Sequence, residues 1–113
     1  MNADLPQTFG ALADPARLAV IGLLRKQPLR SGEIARQLEL SRPQISKHLG
    51  ILRRAGLVEE TGLPDDARAR IYQLRSAPFR DVRGWLEEVE AFWADQLQAF
   101  KEHAERKHGR RKR

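Results

Sequence analysis

The stretch SGEIARQLELSRPQISKHLGILRRAGL, residues 31–57, decides how this chain is read. It describes two helices joined by a short break at Glu39-Leu40. Ser31 is expected to cap the first helix, with Glu33 in the first turn, where the helix dipole favours an acid. Ile34, Ala35 and Leu38 form its inward side. The second helix starts at Ser41, three residues before Gln44, the spacing of a capping box. Pro43 falls in its first turn, where a missing N–H costs little. Ile45, Leu49 and Leu52 recur at spacings of four and three and make one apolar stripe, with His48 beside it.

At about 100° per residue, Pro43, Ser46, Lys47, Gly50 and Arg54 fall on the opposite side of that second helix. Arg42, Gln44 and Arg53 sit on its shoulders. The helix stops at Ala55-Gly56, where Gly suits the left-handed residue that follows a helix. A short helix that packs through one side and offers Arg, Gln, Ser and Lys on the other meets the requirement for reading bases in a major groove. Gly50 sacrifices about 1 kcal/mol of helix propensity relative to Ala. Its outward position makes sense if the backbone comes close to a duplex.

Outward from this pair, Leu5, Phe9 and Leu12 make a short amphipathic helix. Asp14-Pro15 then restarts the chain, Asp as cap and Pro in the first helical position. Leu18, Val20, Ile21 and Leu24 are the apolar set of this next helix, which Gln27-Pro28 ends. After Gly56 the period changes. Residues 57–61 and 70–74 are expected to be strands joined by a loop over 62–67. Arg68 and Arg70 lie along this hairpin, placed to meet phosphates or a minor groove. Asp65 and Asp66 at its tip argue against deep insertion. The expected fold is therefore mainly α with a small β-hairpin, a winged helix-turn-helix of order α-α-α-α-β-β-α.

A long helix is expected from about Phe79 to Lys107, after a break at Ser76-Ala77-Pro78. Val82, Leu86, Val89, Trp93, Leu97 and Phe100 are spaced four, three, four, four and three apart, close to a heptad seam. One winged helix of 113 residues cannot cover such a helix on both sides. The seam, together with Leu5 and Phe9, is therefore assigned to a homodimer through the terminal helices. Trp85 and Phe92 widen the stripe, and with Trp93 they are read as packing residues before they are read as a ligand pocket. Residues 1–107 form the domain in this reading, and 108–113 a disordered basic tail.

The net charge of +6 is unevenly spread. Residues 15–76 carry twelve bases against six acids, and 77–100 carry two bases against five acids. Residues 101–113 carry seven bases against two acids. A basic middle segment points to a polyanion partner. The chain has no Cys, which excludes disulfides, thiolate metal sites and a catalytic thiol. It shows neither an apolar run long enough for a membrane span nor a signal-peptide core, so a cytoplasmic location is expected. There is no glycine-rich phosphate loop, and the three His residues stand in no nucleophile or carboxylate arrangement. No catalytic residues and no cofactor are expected.

Four segments together resemble the ArsR family of winged-helix repressors. They are Phe9-Gly10-Ala11-Leu12-Ala13-Asp14-Pro15-Ala16-Arg17, Ser41-Arg42-Pro43-Gln44-Ile45-Ser46-Lys47-His48-Leu49, Leu52-Arg53-Arg54-Ala55-Gly56-Leu57-Val58, and Ile71-Tyr72-Gln73-Leu74. The resemblance implies a homodimer on a near-palindromic double-stranded DNA operator, usually repressing nearby genes. It implies that Ser41, Arg42, Gln44, Ser46 and Lys47 face the DNA. The family's metal switch does not carry over. Its Cys-x-Cys motif would fall near Arg30 and Gly32, and Asp81 is followed two residues later by Arg83 where the family's second site has His. His103 and His108 are five apart and do not share a helical face. The aromatic pattern resembles the branch that lacks metal ligands, whose members are often autorepressors.

The expected DNA-contacting set is thus Ser41, Arg42, Pro43, Gln44, Ser46, Lys47, Gly50, Arg54, Arg68 and Arg70. The competing reading is an architectural DNA protein or a protein-partner adaptor with little sequence preference.

Overall fold

Caps and breaks in the sequence fix most element boundaries. The computed structural model describes residues 4–111, excepting the side chains of residues 67, 68 and 109–111. Among the described residues, five helices and one hairpin appear in the order α1 (Leu5–Leu12), α2 (Pro15–Leu24), α3 (Ser31–Leu38), α4 (Arg42–Arg54), β1 (Val58–Leu63), β2 (Asp66–Leu74) and α5 (Ser76–Arg111). This is a winged helix-turn-helix. The chain divides into two compact units, Met1–Asp81 and Val82–Arg113.

In the first unit, Asp14 caps α2 by accepting from the amides of Ala16 (2.8 Å) and Arg17 (3.1 Å). Pro15 occupies the first turn, where its missing donor is not needed. At α4 the expected capping box is complete. The Gln44 amide donates to Ser41 Oγ at 3.2 Å, and the Ser41 amide donates to Gln44 Oε1 at 2.9 Å. The far end of α4 is closed as firmly. The Gly56 amide donates to the Arg53 carbonyl (2.9 Å) and the Leu57 amide to the Leu52 carbonyl (3.0 Å), with Gly56 at φ +77°. This pair of bonds is the Schellman motif. α3 ends in the same way, with Glu39 left-handed at φ 55° and the Leu40 amide donating to the Ala35 carbonyl (3.0 Å). The turn of the helix-turn-helix is therefore made by a non-glycine residue in a conformation that costs about 1–2 kcal/mol.

The core collects Val20 and Leu24 from α2, Ile34 and Ala35 from α3, Ile45, Leu49 and Leu52 from α4, and Leu57 and Val58 beyond it. Full burial of each large aliphatic side chain contributes about 1.5–3 kcal/mol, so the stripe on α4 is a principal source of stability. Ala11 and Thr8 are the buried residues of α1, while Leu5 is half-buried.

β1 and β2 pair antiparallel from Val58↔Leu74 to Gly62↔Arg70, then slip to Leu63↔Asp66 across an irregularity between Gly62 and Leu63. Leu29 adds a one-residue third strand, exchanging backbone hydrogen bonds with Tyr72 at 3.1 and 2.8 Å.

Several sequence expectations need correction. Ser31 does not cap α3. Arg30 does, with no side-chain bond, because the Leu29–Tyr72 pairing holds the link extended up to Arg30 and leaves Ser31 already helical. The loop expected over 62–67 is mostly strand, and only Pro64-Asp65 turn. Backbone pairing past the bulge extends both strands beyond what side-chain alternation marked. Leu18 is 54% exposed and not in the core. It lies about 200° around α2 from Val20, and tertiary contacts chose the Val20–Leu24 side of a helix that is apolar nearly all round.

α5 starts at Ser76, since Pro78 is tolerated in a first turn. It continues through Arg111, so residues 108–111 are helical and not a disordered tail. Residues 112–113 of the expected tail lie outside the described residues. Trp85 and Phe92, expected to pack, are exposed in the single chain.

Replacing Gly56 by Ala tests the α4 stop. A Cβ there would approach only Arg75, at 3.5 Å, so the cost is one of backbone conformation. Urea denaturation of Gly56→Ala should show a loss of about 1–2 kcal/mol. An unchanged midpoint would mean that the left-handed geometry is not required.

Asp14 is held below the usual carboxylate range, chiefly by the Arg17 amide. Burial opposes this shift, and the Arg17 charge and the Ala16 amide assist it. A lowered folded value means that the cap stabilises the fold fully above the ordinary carboxylate pKa. That stabilisation is lost as pH falls through the lowered value. The thermal midpoint of the wild type should therefore fall more steeply in acid than that of Asp14→Asn, which keeps a capping acceptor without titrating. Parallel curves would remove Asp14 from the acid response.

Candidate nucleic-acid interface

α4 is amphipathic in the sense its spacing demands. Ile45, Leu49 and Leu52 are buried, and Arg42, Pro43, Gln44, Ser46, Lys47, Arg53 and Arg54 are exposed. Gly50 is half-covered, and the Arg54 guanidinium folds back so that a Cβ on Gly50 would lie 3.4 Å from it. Pro43, Ser46, Lys47, Gly50 and Arg54 thus share the side of α4 opposite the buried stripe, with Arg42 and Gln44 at its two edges. Arg70 is exposed on β2, opposite Gly62. The Arg68 side chain lies outside the described residues, although its backbone is in β2.

Gln44 has two demands on it. Its Oε1 accepts from the Ser41 amide, while its Nε2 is left to donate. Bidentate pairing with adenine needs both a donor and an acceptor. Gln44 can supply both only by using the second lone pair of Oε1 or by giving up the cap.

Arg17, in the sequence only one residue of a motif, braces α4. Its Nε donates to the Ala11 carbonyl at 2.6 Å, and its Nη1 lies 3.2 Å from His48 Nδ1. A guanidinium can only donate, so in this contact His48 Nδ1 is the accepting atom. One side chain thereby links the end of α1, the start of α2 and the middle of α4. No local periodicity signals this, because the partners are 6 and 31 residues away.

Arg53 plays a similar part toward the wing. Its Nη1 lies 3.5 Å from Glu60 Oε1, and the Tyr72 hydroxyl donates to Glu60 Oε2 at 2.9 Å. Burial, reinforced by Glu60, pushes the Tyr72 phenol above its ordinary value, so it stays protonated as the donor. Gln73 Nε2 donates to Glu59 Oε1 at 2.7 Å, a second tie within the hairpin. The Arg53–Glu60 pair, exposed at the arginine and partly buried at the glutamate, adds little stability by itself. Its effect is to fix the wing against the last turn of α4.

Two open clefts, of about 530 and 330 Å³, lie along this surface and share Ser31 and Arg42. The first is bounded by the start of α3 and by Arg70 of the wing. The second runs beside Pro43 and Ser46 of α4. Among the described residues, no group of three or more His, Asp or Glu side chains is placed to hold a metal ion. No helix among them is long and apolar enough to cross a membrane.

On the dimerisation set, α5 exposes Leu86, Trp93, Leu97 and Phe100, with Trp93 at 58% and Phe100 at 72%. Val82 and Val89 are half-buried. In α1, Phe9 is 37% exposed and Leu5 half-buried.

The chain is similar to several known proteins. The helix-turn-helix domain family matches residues 12–61. An HTH-type transcriptional regulator of Mycobacterium tuberculosis is 37% identical over 94 residues, covering 83% of this chain and 82% of that protein. The transcriptional repressor SdpR of Bacillus subtilis is 30% identical over 80 residues, covering 69% and 83%. The transcriptional activator HlyU of Vibrio cholerae is 44% identical over 77 residues, covering 68% and 66%. Among solved structures, an ArsR-like transcriptional regulator from Rhodococcus sp. RHA1 superposes with a TM-score of 0.75 at 31% identity, covering 88% of this chain and 92% of that one. With an exposed cationic recognition helix and a wing already in place, this chain belongs to the ArsR family of helix-turn-helix, DNA-binding transcriptional regulators.

Proposed function

We propose that this regulator is a homodimeric repressor that binds a near-palindromic operator through α4 and the 62–70 wing, and that it does so without sensing a metal. The observation that carries the DNA-reading part is the α4 face. Ser46, Lys47, Gly50 and Arg54 sit outward on a helix whose two ends are hydrogen-bonded and whose inner stripe is fully buried. A rigid helix presents its polar groups in one register, which base recognition requires. The absence of Cys supports release by something other than a thiolate-bound metal.

The exposed stripe on α5 supports the dimer. Leu86, Trp93, Leu97 and Phe100 follow a seam spacing, and such a surface is costly to leave in water. A homodimer would offer two α4 helices to a near-palindromic operator, whose successive major grooves are about 34 Å apart. Repression follows if the occupied operator overlaps a promoter, with the protein's own promoter the first candidate. SdpR, named a repressor, supports this sign of regulation, and HlyU, named an activator, makes it a point to measure.

Recognition is tested by selecting duplexes from a random pool and comparing the wild type with Gln44→Glu. Glu at this position keeps the capping box but removes the amide donor. The variant should fold with unchanged helix content and lose about tenfold or more of its preference for the selected operator over unrelated duplex. Equal affinity of the wild type for both duplexes would instead favour an architectural or adaptor protein. A reporter fused to the selected promoter, with the gene deleted, gives the sign: expression should rise.

The dimer is tested by sedimentation of Trp93→Glu with Leu97→Glu, two exposed positions whose change leaves the winged-helix core untouched. The wild type should sediment as a dimer at micromolar concentration and the double variant as a folded monomer with greatly weakened operator binding. A monomeric wild type would overturn the dimer.

A further inference from the structure

The chain has more cations than its folded structure uses, and three of the spare ones meet in one place. Arg30, Arg42 and Arg70 line the 530 Å³ cleft between the start of α3 and the wing. All three are exposed, and among the described residues none makes an ion pair or a side-chain hydrogen bond. Two acids share the cleft, but each is already engaged. Glu33 accepts from Arg36 at 2.7 and 2.6 Å and from Gln37 at 2.9 Å, and its carboxyl is held below the usual range chiefly by Arg36. Glu60 accepts from Tyr72 and faces Arg53. The two carboxylates are therefore neutralised by cations other than the three that ring the cleft.

Arg42, which the sequence places on a shoulder of α4, lies back toward α3. Its guanidinium lies over Gly32 in the first turn of α3, so close that a Cβ on Gly32 would stand 3.1 Å from Nη1 and 3.4 Å from Cζ. The missing side chain at Gly32 makes room for that arginine to lie back from the front of α4 into the cleft.

We propose that this cleft seats a phosphate of the DNA backbone, with Arg30 as an additional DNA-contacting residue and Arg42 as a phosphate ligand and not a base reader. The occupant follows from position. Arg42, the first residue of α4, and Arg70 on the wing both line the cleft. A duplex whose major groove receives α4 must carry one bounding strand across the gap between them. Guanidinium groups match phosphate oxygens with paired, charge-assisted hydrogen bonds. One phosphate held there would set the register of α4 along the groove without itself reading sequence. The inference deepens the DNA-binding reading and rests on it.

The test is the salt dependence of binding to the selected operator and to an unrelated duplex, for the wild type, Arg30→Ala and Arg30→Lys. Arg30→Ala should weaken both duplexes alike, by about fivefold to tenfold, and reduce the slope of log affinity against log salt by about 0.9, the loss of one phosphate contact. Arg30→Lys should restore the slope. Circular dichroism and the thermal midpoint of each variant exclude misfolding, since Arg30 is exposed and bonds to no side chain.

An unchanged slope for Arg30→Ala would overturn the proposal, as would a loss confined to the operator, which would make Arg30 a base reader. Titration of the free protein with inorganic phosphate separates the other source of the same chemistry. Saturable, Arg30-dependent binding at millimolar concentration would make the cleft a site for a free anion and overturn the DNA assignment. The two readings fail separately. A wild type without operator preference whose slope still drops in Arg30→Ala keeps the phosphate seat, while operator preference with an unchanged slope keeps only the regulator.

Discussion

Three buried side chains on one helix, Ile45, Leu49 and Leu52, are the constraint on which the first unit depends. They leave the opposite side of α4 facing water, and they fix its rotation, because any turn of the helix about its axis would trade apolar burial for exposure. α2, α3 and β1 all contact α4, and each contributes residues to the same cluster. A side chain on the outer face is thereby fixed in direction by residues it never touches.

Around that core the arginines divide by task. Arg17 and Arg53 are tied, one to Ala11 and His48 and the other to Glu60, and they set α4 against α1 and against the wing. Arg30, Arg42 and Arg70 are untied and converge on one cleft. A census of basic residues in the sequence counts both groups alike. Only the partners separate cations that hold the fold from cations left over for a polyanion. The same distinction explains why the charge of the middle segment overstates its attraction for DNA: part of it is spent inside the protein.

The boundaries of α3 and α4 show how local and distant signals interact. The Ser41–Gln44 capping box and the Gly56 stop involve residues within a few positions of one another, and they appear where the sequence places them. The start of α3 does not. A serine before an apolar-periodic run is a good cap, but the pairing of Leu29 with Tyr72, 43 residues on, holds the chain extended up to Arg30 and makes Ser31 the first helical residue. The turn after α3 is similar, since nothing about Glu39 as a residue type announces a left-handed conformation. It is tolerated because both helices it joins are pinned by Ala35, Ile45 and Leu49 in the core.

What the sequence by itself determined is what depends on short spacings: the order of elements, the α4 caps, its apolar stripe, and the polar residues on its outer face. These follow from helical period and hydrogen bonds closed within one or two turns, and the seam on α5 is legible for the same reason. What only the tertiary structure decided is what depends on choosing between equivalent local options. It chose which side of α2 is buried, leaving Leu18 in solvent, and it carried the hairpin past its side-chain pattern to a two-residue tip. It also gave Arg17 its partners and laid Arg42 over Gly32. Each of these is a contact between segments distant in sequence, and none leaves a period in the chain.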